Sequence, residues 1–365
     1  MHRDTTNVGA RGSRALRTPT RVRLAAGAAA AVLALAACGP GTGSPGPGTG
    51  GPVASPGAPA SMGAWQPTGP ITIVVPFDAG GPTDTVTRQI AGPMGTALGQ
   101  QVIVSNVAGA GGTVAAGQVA VAAADGYTVL MHHIGMSTAP TLYPELEYDP
   151  LTSFKTIGLV TEVPMTIIGG TEFEPNTLEE LVAYVKANTA SVNYANAGVG
   201  AASHLCGLLL EQAIGVDWTE VPYDGTGPAM DDLLGNQVDF MCDQTTNTVP
   251  QIKGDKVKAF AVTTPERIEA LPDLQTTTEA GQPDIEVGVW HGLYAPAETP
   301  DEIVKAVTDS LAKALKDPAV VKKFADLGTE PAPDDQVTPD AQTKLLTEQI
   351  DLWTPVIEEA GVKGS

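Results

Sequence analysis

The sequence has little positive charge, and its acidic residues outnumber its basic ones two to one. The 365 residues include 20 Lys and Arg against 41 Asp and Glu, a formal net charge of −21. Six of the arginines lie within residues 1–23, so the rest of the chain is more acidic still. This balance argues against nucleic acid and anionic lipid as partners. It does not exclude an anionic ligand, because salt screens distant charges beyond about 8 Å and the local pocket decides.

Motifs for metal, phosphate and nucleophilic chemistry are also missing. The five histidines form no HExxH pattern, and neither CxxC nor the Gly-Lys-Ser/Thr of a phosphate-binding loop occurs. Ser203 and His204 are neighbours, so the histidine is badly placed to activate the serine. His132 and His133 are adjacent in a predicted strand, where side chains should diverge. We therefore expect no enzyme activity, no cofactor and no metal site.

The N-terminus is typical of an exported lipoprotein. After the basic leader comes one apolar run, residues 24–37, which is shorter than the ~20 residues that a transmembrane helix needs. Small residues precede Cys38, as in the signals at which a leader is removed and the cysteine is acylated. The alternative is an ordinary signal peptide that ends near a cysteine. We expect residues 1–37 to be a lipoprotein signal peptide and Cys38 to anchor the protein, in the periplasm or on the outer face of the cytoplasmic membrane.

The segment after the anchor has too few apolar residues to fold. Residues 38–63 are almost entirely Gly, Pro, Ser, Ala and Thr, which predicts a flexible tether. About 300 residues follow, enough for two soluble lobes. They contain two cysteines, Cys206 and Cys242, an even pair that we expect to form a disulfide in an oxidising compartment. Two buried free thiols are the alternative.

Strands and helices alternate along this folded part. Short β-branched runs such as residues 71–76 predict strands, and capping boxes beginning at Thr177 and Thr299 predict helix starts. The alternation predicts an α/β protein with an open parallel sheet. Crossing strands near 163–170 and 286–293 would join two lobes. We expect residues 70–168 plus 288–365 to form one lobe and residues 169–287 the other.

Glycine-rich turns lead into several of the predicted helices. Glycine lets the backbone approach a ligand closely, and the first N–H groups of a helix are unpaired and partly positive. Such turns can hold an anion without a Lys or Arg side chain. The alternative is an ordinary strand-to-helix turn. The four turns are residues 76–84, 106–112, 194–205 and 221–229.

These turns, with further motifs, resemble the Bug/TctC family, the extracytoplasmic receptors of tripartite tricarboxylate transporters. The resemblance covers about residues 70–362, nearly the whole folded part, and the motifs follow the order of the family. They are Pro76-Phe77…Gly80-Gly81…Asp84, Asn106…Gly109-Ala-Gly-Gly112, Ala124-Asp-Gly-Tyr127, Tyr194…Gly198-Val-Gly200…Ser203-His-Leu205, Val221-Pro-Tyr223-Asp-Gly225, Val238-Asp-Phe240 and Trp290-His-Gly-Leu-Tyr-Ala-Pro296.

The resemblance implies a periplasmic-binding-protein type II-like α/β fold, with a hinge and an interlobe cleft. It implies a monomeric receptor that delivers a small carboxylate-type solute to integral membrane transporter subunits. The same module serving as a ligand sensor for a membrane signalling protein is the alternative. The ligand-binding residues expected on this basis are Phe77, Asp78, Gly80, Gly81, Thr83, Asp84, Ser137, Gly198, Gly200, Ser203, His204, Tyr223 and Asp243.

Two positions depart from the family pattern. Asp78 stands where the family usually has a small residue or Pro, and Asp224 where it often has Lys or Arg. Either both acids point outward, or the ligand is less anionic than a tricarboxylate and carries, for example, an amino group. Candidate ligands therefore include di- and tricarboxylates, amino acids, aromatic acids and amides.

Overall fold

A computed structural model describes residues 65–364 of the chain. The expected signal peptide, the tether and Cys38 lie outside this range, so those predictions are not addressed by the fold. None of the helices between residues 65 and 364 is long and apolar enough to cross a membrane. The described residues form one compact unit.

Strands and helices alternate through most of the described chain, as predicted. The strands are β1 (Ile71–Val75), β2 (Val102–Asn106), β3 (Thr128–His133), β4 (Phe154–Gly169), β5 (Asn193–Asn196), β6 (Thr219–Pro222), β7 (Phe240–Gln244), β8 (Lys258–Val262), β9 (Gly288–Pro296) and β10 (Glu330–Pro331). The helices are α1 (Pro82–Leu98), α2 (Thr113–Ala120), α3 (Gly135–Leu142), α4 (Leu178–Asn188), α5 (Ala202–Ile214), α6 (Thr226–Leu234), α7 (Thr245–Lys253), α8 (Asp301–Leu315), α9 (Pro318–Asp326) and α10 (Pro339–Ala360).

The strands form one curled sheet in the order β2-β1-β3-β9-β4-β7-β5-β6, with β8 and β10 also paired to β4. The pairs β1–β2, β1–β3, β5–β6 and β5–β7 are parallel. The parallel arrangement that the sequence predicted is present in these two sets, whereas in the middle of the sheet β3–β9 and every pairing of β4 are antiparallel. Within each parallel set the carboxyl ends of the strands lie at one common edge, which is where open α/β sheets bind ligands.

Strand β4 links the two parallel sets. Its first part, from Phe154 to Pro164, pairs with β9, and its last part, from Met165 to Gly169, pairs with β7 and β8. The sequence predicted a crossing strand only near residues 163–170, whereas β4 has 16 residues. The proposed boundaries of the two lobes stay a prediction.

Local capping chemistry accounts for several helix starts. Thr177 caps α4 by accepting a hydrogen bond from Glu180 N at 3.1 Å, as the capping box predicts. The prediction of a second capping box at Thr299 is wrong. Helix α8 begins at Asp301 after Pro300 and has no side-chain cap. The hydroxyl of Thr299 is buried without a partner among the described residues. Pro300 takes the N-cap position because its φ of −56° and ψ of 143° place it just before the first helical turn.

Cys206 and Cys242 are joined by a disulfide, with their Cα atoms 6.1 Å apart. Cys206 lies in α5 and Cys242 in β7, and both residues are fully buried. The bond therefore fastens α5 to the strand beneath it. This matters for the site described next, because α5 and β7 both contribute residues to it.

Candidate functional site

A small cavity lies between the two parallel sets of strands. Its volume is about 20 Å³, which is room for about one water molecule. The lining residues come almost entirely from the points where strands end and helices begin. They are Phe77, Gly81, Pro82, Thr83, His133, Ala197, Ala201, Ala202, Ser203, Thr226, Asp243 and Gln244.

Four helix N-termini meet at this cavity. Helix α1 begins at Pro82, α5 at Ala202, α6 at Thr226 and α7 at Thr245, directly after Gln244. Each helix start presents unpaired N–H groups and the positive end of a helix dipole. No lysine or arginine lines the cavity. The arrangement can therefore bind an anionic group through backbone donors alone.

The first turn, between β1 and α1, is held by Asp84. The carboxylate accepts hydrogen bonds from Gly80 N at 3.0 Å, Arg88 Nε at 2.8 Å and Asn106 Nδ2 at 3.1 Å. Burial alone would raise the pKa of Asp84, but these hydrogen bonds and the Arg88 charge outweigh it and lower the pKa. Asn106 also donates to Phe77 O at 2.9 Å. Asp84 thus fixes the shape of the turn and does not line the cavity.

The second turn, between β5 and α5, is held in a similar way. Ser203 Oγ accepts a hydrogen bond from Ala197 N at 2.8 Å, and Asn196 Oδ1 accepts one from Gly198 N at 2.8 Å. His204 Nδ1 accepts from Gly200 N at 3.3 Å, so this histidine caps the turn behind the cavity. Burial lowers the pKa of His204 to about 4, which keeps its ring neutral. The hydroxyl hydrogen of Ser203 remains available to a ligand.

A buried carboxylate lies on the third side. Asp243, only 1% exposed, lies in β7 next to its last residue, Gln244, and accepts a hydrogen bond from Asn247 Nδ2 at 2.6 Å. Burial raises the pKa of Asp243 to about 6, although hydrogen bonds from Asn247, Gln244 N and Thr226 oppose this shift. Because all three of these groups donate to it, the carboxylate acts as a hydrogen-bond acceptor, and no cationic side chain lines the cavity beside it.

Three buried histidines form the floor beneath the first turn. The ring of His133 stacks on Phe77 with centroids 4.7 Å apart, and His132 and His291 lie 5.3 and 5.8 Å from His133. The prediction that His132 and His133 diverge is wrong, because β3 ends at His133 and Phe77 contacts both rings. Burial lowers the pKa of His132 to about 4, of His291 to about 3, and of His133 well below its usual value.

Within residues 65–364, no group of three or more His, Cys, Asp or Glu side chains is arranged to hold a metal ion. The histidines instead support the first turn, since His291 Nε2 lies 3.3 Å from Thr83 Oγ1.

The two sides of the cleft contact each other at their rims. One rim contains Asp78, Thr138 and Tyr143, and the other contains Val199, Gly200 and Asp224. Asp78 N donates to Asp224 O at 3.0 Å, Tyr143 Oη donates to Val199 O at 2.9 Å, and Thr138 Oγ1 donates to Gly200 O at 3.1 Å. The 110–113 segment approaches the 197–200 turn so closely that only glycine fits at position 111. The structure therefore describes a closed cleft.

The expected ligand-binding residues divide into two groups. Five of them line the cavity: Phe77, Gly81, Thr83, Ser203 and Asp243. The other eight do not line it. Those are Asp78, Gly80, Asp84, Ser137, Gly198, Gly200, His204 and Tyr223, most of which shape the turns or the rim; the hydroxyl of Ser137 bonds within its own helix, to Ile134 O at 2.6 Å.

Asp78 and Asp224 lie in a separate groove outside the closed rim. This groove also contains Tyr223, whose hydroxyl donates to Asp232 Oδ2 at 2.7 Å and is thereby turned away from the cavity. Of the two alternatives for these acids, their position favours an outward orientation. They supply no charge to the cavity lining.

The expected ligand-binding residues left out seven residues of the lining, and the polar ones among these seven are His133, Thr226 and Gln244. His133 and Gln244 are the last residues of β3 and β7, and Thr226 is the first residue of α6. Ligands of open α/β sheets lie at the carboxyl ends of strands, so the ends of predicted strands were a usable signal. The turns at 76–84 and 194–205 are rich in glycine, whereas the turn between β7 and α7 contains no glycine and lacks this signal.

Comparison with known proteins assigns the chain to a family. Residues 86–362 match the family model described as "Tripartite tricarboxylate transporter family receptor". A UPF0065 protein of Agrobacterium vitis is 50% identical over 295 residues, which is 81% of this chain and 85% of that protein.

Three solved structures share the fold over 80–81% of this chain and 99% of their own. The periplasmic binding protein BugD is 49% identical with a TM-score of 0.80, and MatC from Rhodopseudomonas palustris with bound malate is 41% identical with a TM-score of 0.78. An R. palustris protein with adipate is 30% identical with a TM-score of 0.77. The expected periplasmic-binding-protein fold is therefore confirmed, and the chain belongs to the Bug/TctC family of periplasmic solute-binding receptors, which are not enzymes.

Proposed function

We propose that this receptor binds a small carboxylate-bearing solute in the cavity between the glycine turns at 76–84 and 194–205. We propose further that it delivers this solute to a tripartite tricarboxylate-type membrane transporter. One observation carries the ligand class: the N-termini of α1, α5, α6 and α7 converge on a cavity that no Lys or Arg lines. MatC with malate and the R. palustris protein with adipate, both of the same fold, support a carboxylate ligand.

Backbone donors are sufficient for such a ligand. Taking a carboxylate out of water costs several kcal/mol. Hydrogen bonds to a charged group contribute about 1.5–3 kcal/mol each, so three or four of them offset that cost. Ser203 adds a hydroxyl donor from the second turn. The ligand thereby bridges residues 81–83 and 201–203, which lie on opposite sides of the cleft.

Binding requires the cleft to open. A cavity of about 20 Å³ accepts one water molecule, whereas even a four-carbon diacid has eight non-hydrogen atoms. The rim contacts of Tyr143 with Val199 and of Asp78 with Asp224 form only when the cleft closes. Ligand that contacts both sides favours the closed state by its differential affinity, and this closed form would be recognised by the membrane subunits.

Calorimetry with mono-, di- and tricarboxylates tests the ligand class. The variant Gly81→Val tests the position of the binding site. A Cβ at Gly81 lies 3.5 Å from Gly227 N, so the fold accepts it, but the methyl groups of valine extend about 1.5 Å farther, into the facing backbone. We expect Gly81→Val to abolish binding with little loss of thermal stability. Gly92→Val is the matched control on α1, because Gly92 is exposed and nothing lies within 4 Å of its added Cβ.

Failure of every carboxylate to bind the wild-type protein would refute the ligand class. Wild-type affinity of the Gly81→Val variant would show that the ligand does not bind between residues 81–83 and 201–203. Binding of carboxylates without stimulation of uptake through reconstituted membrane subunits would favour the sensor alternative over transport.

The anchoring and location of the receptor are part of the same proposal. We propose that Cys38 is the acylated first residue of the mature protein, which would keep the receptor on the outer face of the cytoplasmic membrane as a monomer beside its transporter. Cys38→Ser should release it into the soluble exported fraction, as measured by fractionation and immunoblotting. Retention of the variant on membranes to the same extent would place the anchor elsewhere.

A further inference from the structure

The direction of one hydrogen bond determines what Thr83 offers to a ligand. His291 Nδ1 lies 3.2 Å from Val289 O, and since a carbonyl oxygen only accepts, Nδ1 carries the hydrogen. The buried ring is neutral, so its Nε2 is the unprotonated nitrogen and accepts from Thr83 Oγ1 at 3.3 Å. The hydroxyl of Thr83 has thus used its only hydrogen. Toward the cavity it can act only as an acceptor.

Two further acceptors line the same cavity. Asp243 is an almost fully buried carboxylate that accepts hydrogen bonds from its neighbours, Asn247 Nδ2 among them, and so faces the cavity as an acceptor. The side chain of Gln244 is 4% exposed, and its Oε1 has no hydrogen-bond partner among residues 65–364. An unpartnered buried oxygen costs free energy that a donor on a ligand would recover. The charge of Asp243 likewise lacks a cation within the lining.

The acceptors and the helix N-termini surround one space of about 20 Å³. A plain diacid has only acceptor atoms when it is ionised. Its carboxylates suit the N–H groups of the helix starts, but its chain offers nothing to Thr83, Asp243 or Gln244. A carboxylate solute with a hydroxyl or ammonium group on the adjacent carbon satisfies both sets of groups.

We propose that this receptor selects carboxylates bearing a hydrogen-bond donor, as in hydroxy acids and amino acids, over unsubstituted diacids, and that Thr83, Asp243 and Gln244 recognise that donor. The inference rests on the proposed function and narrows its ligand class. His291 is a positioning residue, because it acts by orienting the hydroxyl of Thr83.

Matched ligand sets test the proposal in the full-length exported protein. Succinate, L-malate and L-aspartate differ only by hydrogen, hydroxyl or ammonium on one carbon. Glutarate, 2-hydroxyglutarate and L-glutamate repeat the comparison with one more carbon. Calorimetry at pH 7.5 should give at least tenfold tighter binding for a substituted member than for its plain diacid, equivalent to about 1.4 kcal/mol. Equal or tighter binding of the plain diacids overturns the proposal while the receptor function stands.

Thr83→Val keeps the shape of the side chain and removes its oxygen. We expect about tenfold weaker binding of the preferred substituted ligand and less than threefold change for the plain diacid, whereas Thr83→Ser retains the wild-type ratio. An equal loss for all ligands means that Thr83 has only a structural role and overturns its assignment. Thermal melts identify variants that fold poorly, and the ratio of two affinities within one variant is insensitive to the folded fraction.

Asp243→Asn distinguishes the two kinds of donor. Loss of the charge should lower the affinity for an ammonium-bearing ligand by more than tenfold and lower the affinity for a hydroxyl-bearing ligand by less. It should raise the affinity for the plain diacid. An unchanged preference for ammonium ligands would exclude Asp243 from recognition. If no carboxylate binds even the wild-type protein, the proposed function fails and this inference fails with it.

Discussion

Gly111 offers a direct test of whether closure of the cleft controls affinity. Its φ of +61° suits glycine, and a Cβ added there would overlap the carbonyl oxygen of Val199 and lie 3.0 Å from Tyr143 Oη. We therefore expect Gly111→Ala to hold the two rims apart. The cavity lining is untouched, because Gly111 lies outside it.

The expected effect follows from the contacts that would be lost. The rims must separate by about 1 Å before the new Cβ reaches an acceptable distance from Val199. Such a shift breaks the bond from Tyr143 to Val199 and strains the bond from Thr138 to Gly200, which are 2.9 and 3.1 Å long. At about 1 kcal/mol each, their loss destabilises the closed state by about 2 kcal/mol. Ligand affinity should fall about 30-fold.

A matched glycine separates closure from backbone strain. Gly99 has a φ of +70° at the end of α1, and an added Cβ there meets nothing within 4 Å. Gly99→Ala should therefore lose about 1 kcal/mol of folding stability, as a left-handed non-glycine residue does, without any loss of affinity. Calorimetric Kd values and urea unfolding curves measure the two effects. Equal affinities for Gly111→Ala and Gly99→Ala would refute the link between rim contact and binding.

Three further outcomes are expected. Replacing Cys206 and Cys242 together by alanine should cost about 3–4 kcal/mol of unfolding free energy, since the bond spans 36 residues; an unchanged guanidinium midpoint under non-reducing conditions would contradict this. Asp78→Ala and Asp224→Ala should leave the Kd of carboxylates within twofold, because both acids lie in the outer groove; a tenfold change would place them against the ligand. The pKa of His132 is about 4 in the folded protein, against 6.5 in the unfolded chain, so the native state binds fewer protons. The unfolding free energy that this difference contributes is therefore complete above pH 6.5, and about 3 kcal/mol of it is lost by pH 4. Urea unfolding of His132→Phe should show a correspondingly smaller loss of stability between pH 7 and pH 4, and an unchanged loss would refute the argument.

Much of the local structure was predictable because its causes lie within a few residues. The β-branched run at 71–76, the turn at 76–84 that leads into a predicted helix and the capping box at Thr177 all act locally, and the structure has β1, α1 and α4 there. Thr299 shows the limit of such signals, since its motif occurs but the helix begins later and without its side chain. The antiparallel centre of the sheet was not predictable, because strand direction depends on pairings between distant segments.

The sequence was sufficient to recognise the family and to suggest that helix N-termini hold the ligand, because glycine turns, helix starts and their order are readable from neighbouring residues. It also pointed to Thr83, Ser203 and Asp243. Which residues line the cavity and which support the turns became clear only from the tertiary structure. Burial and hydrogen-bond partners are set by segments far apart in the chain: Asp84 is occupied by Asn106, and the hydroxyl of Thr83 is oriented by His291, which is 208 residues away. Folding brings such partners together, and their chemistry then fixes what the site can bind.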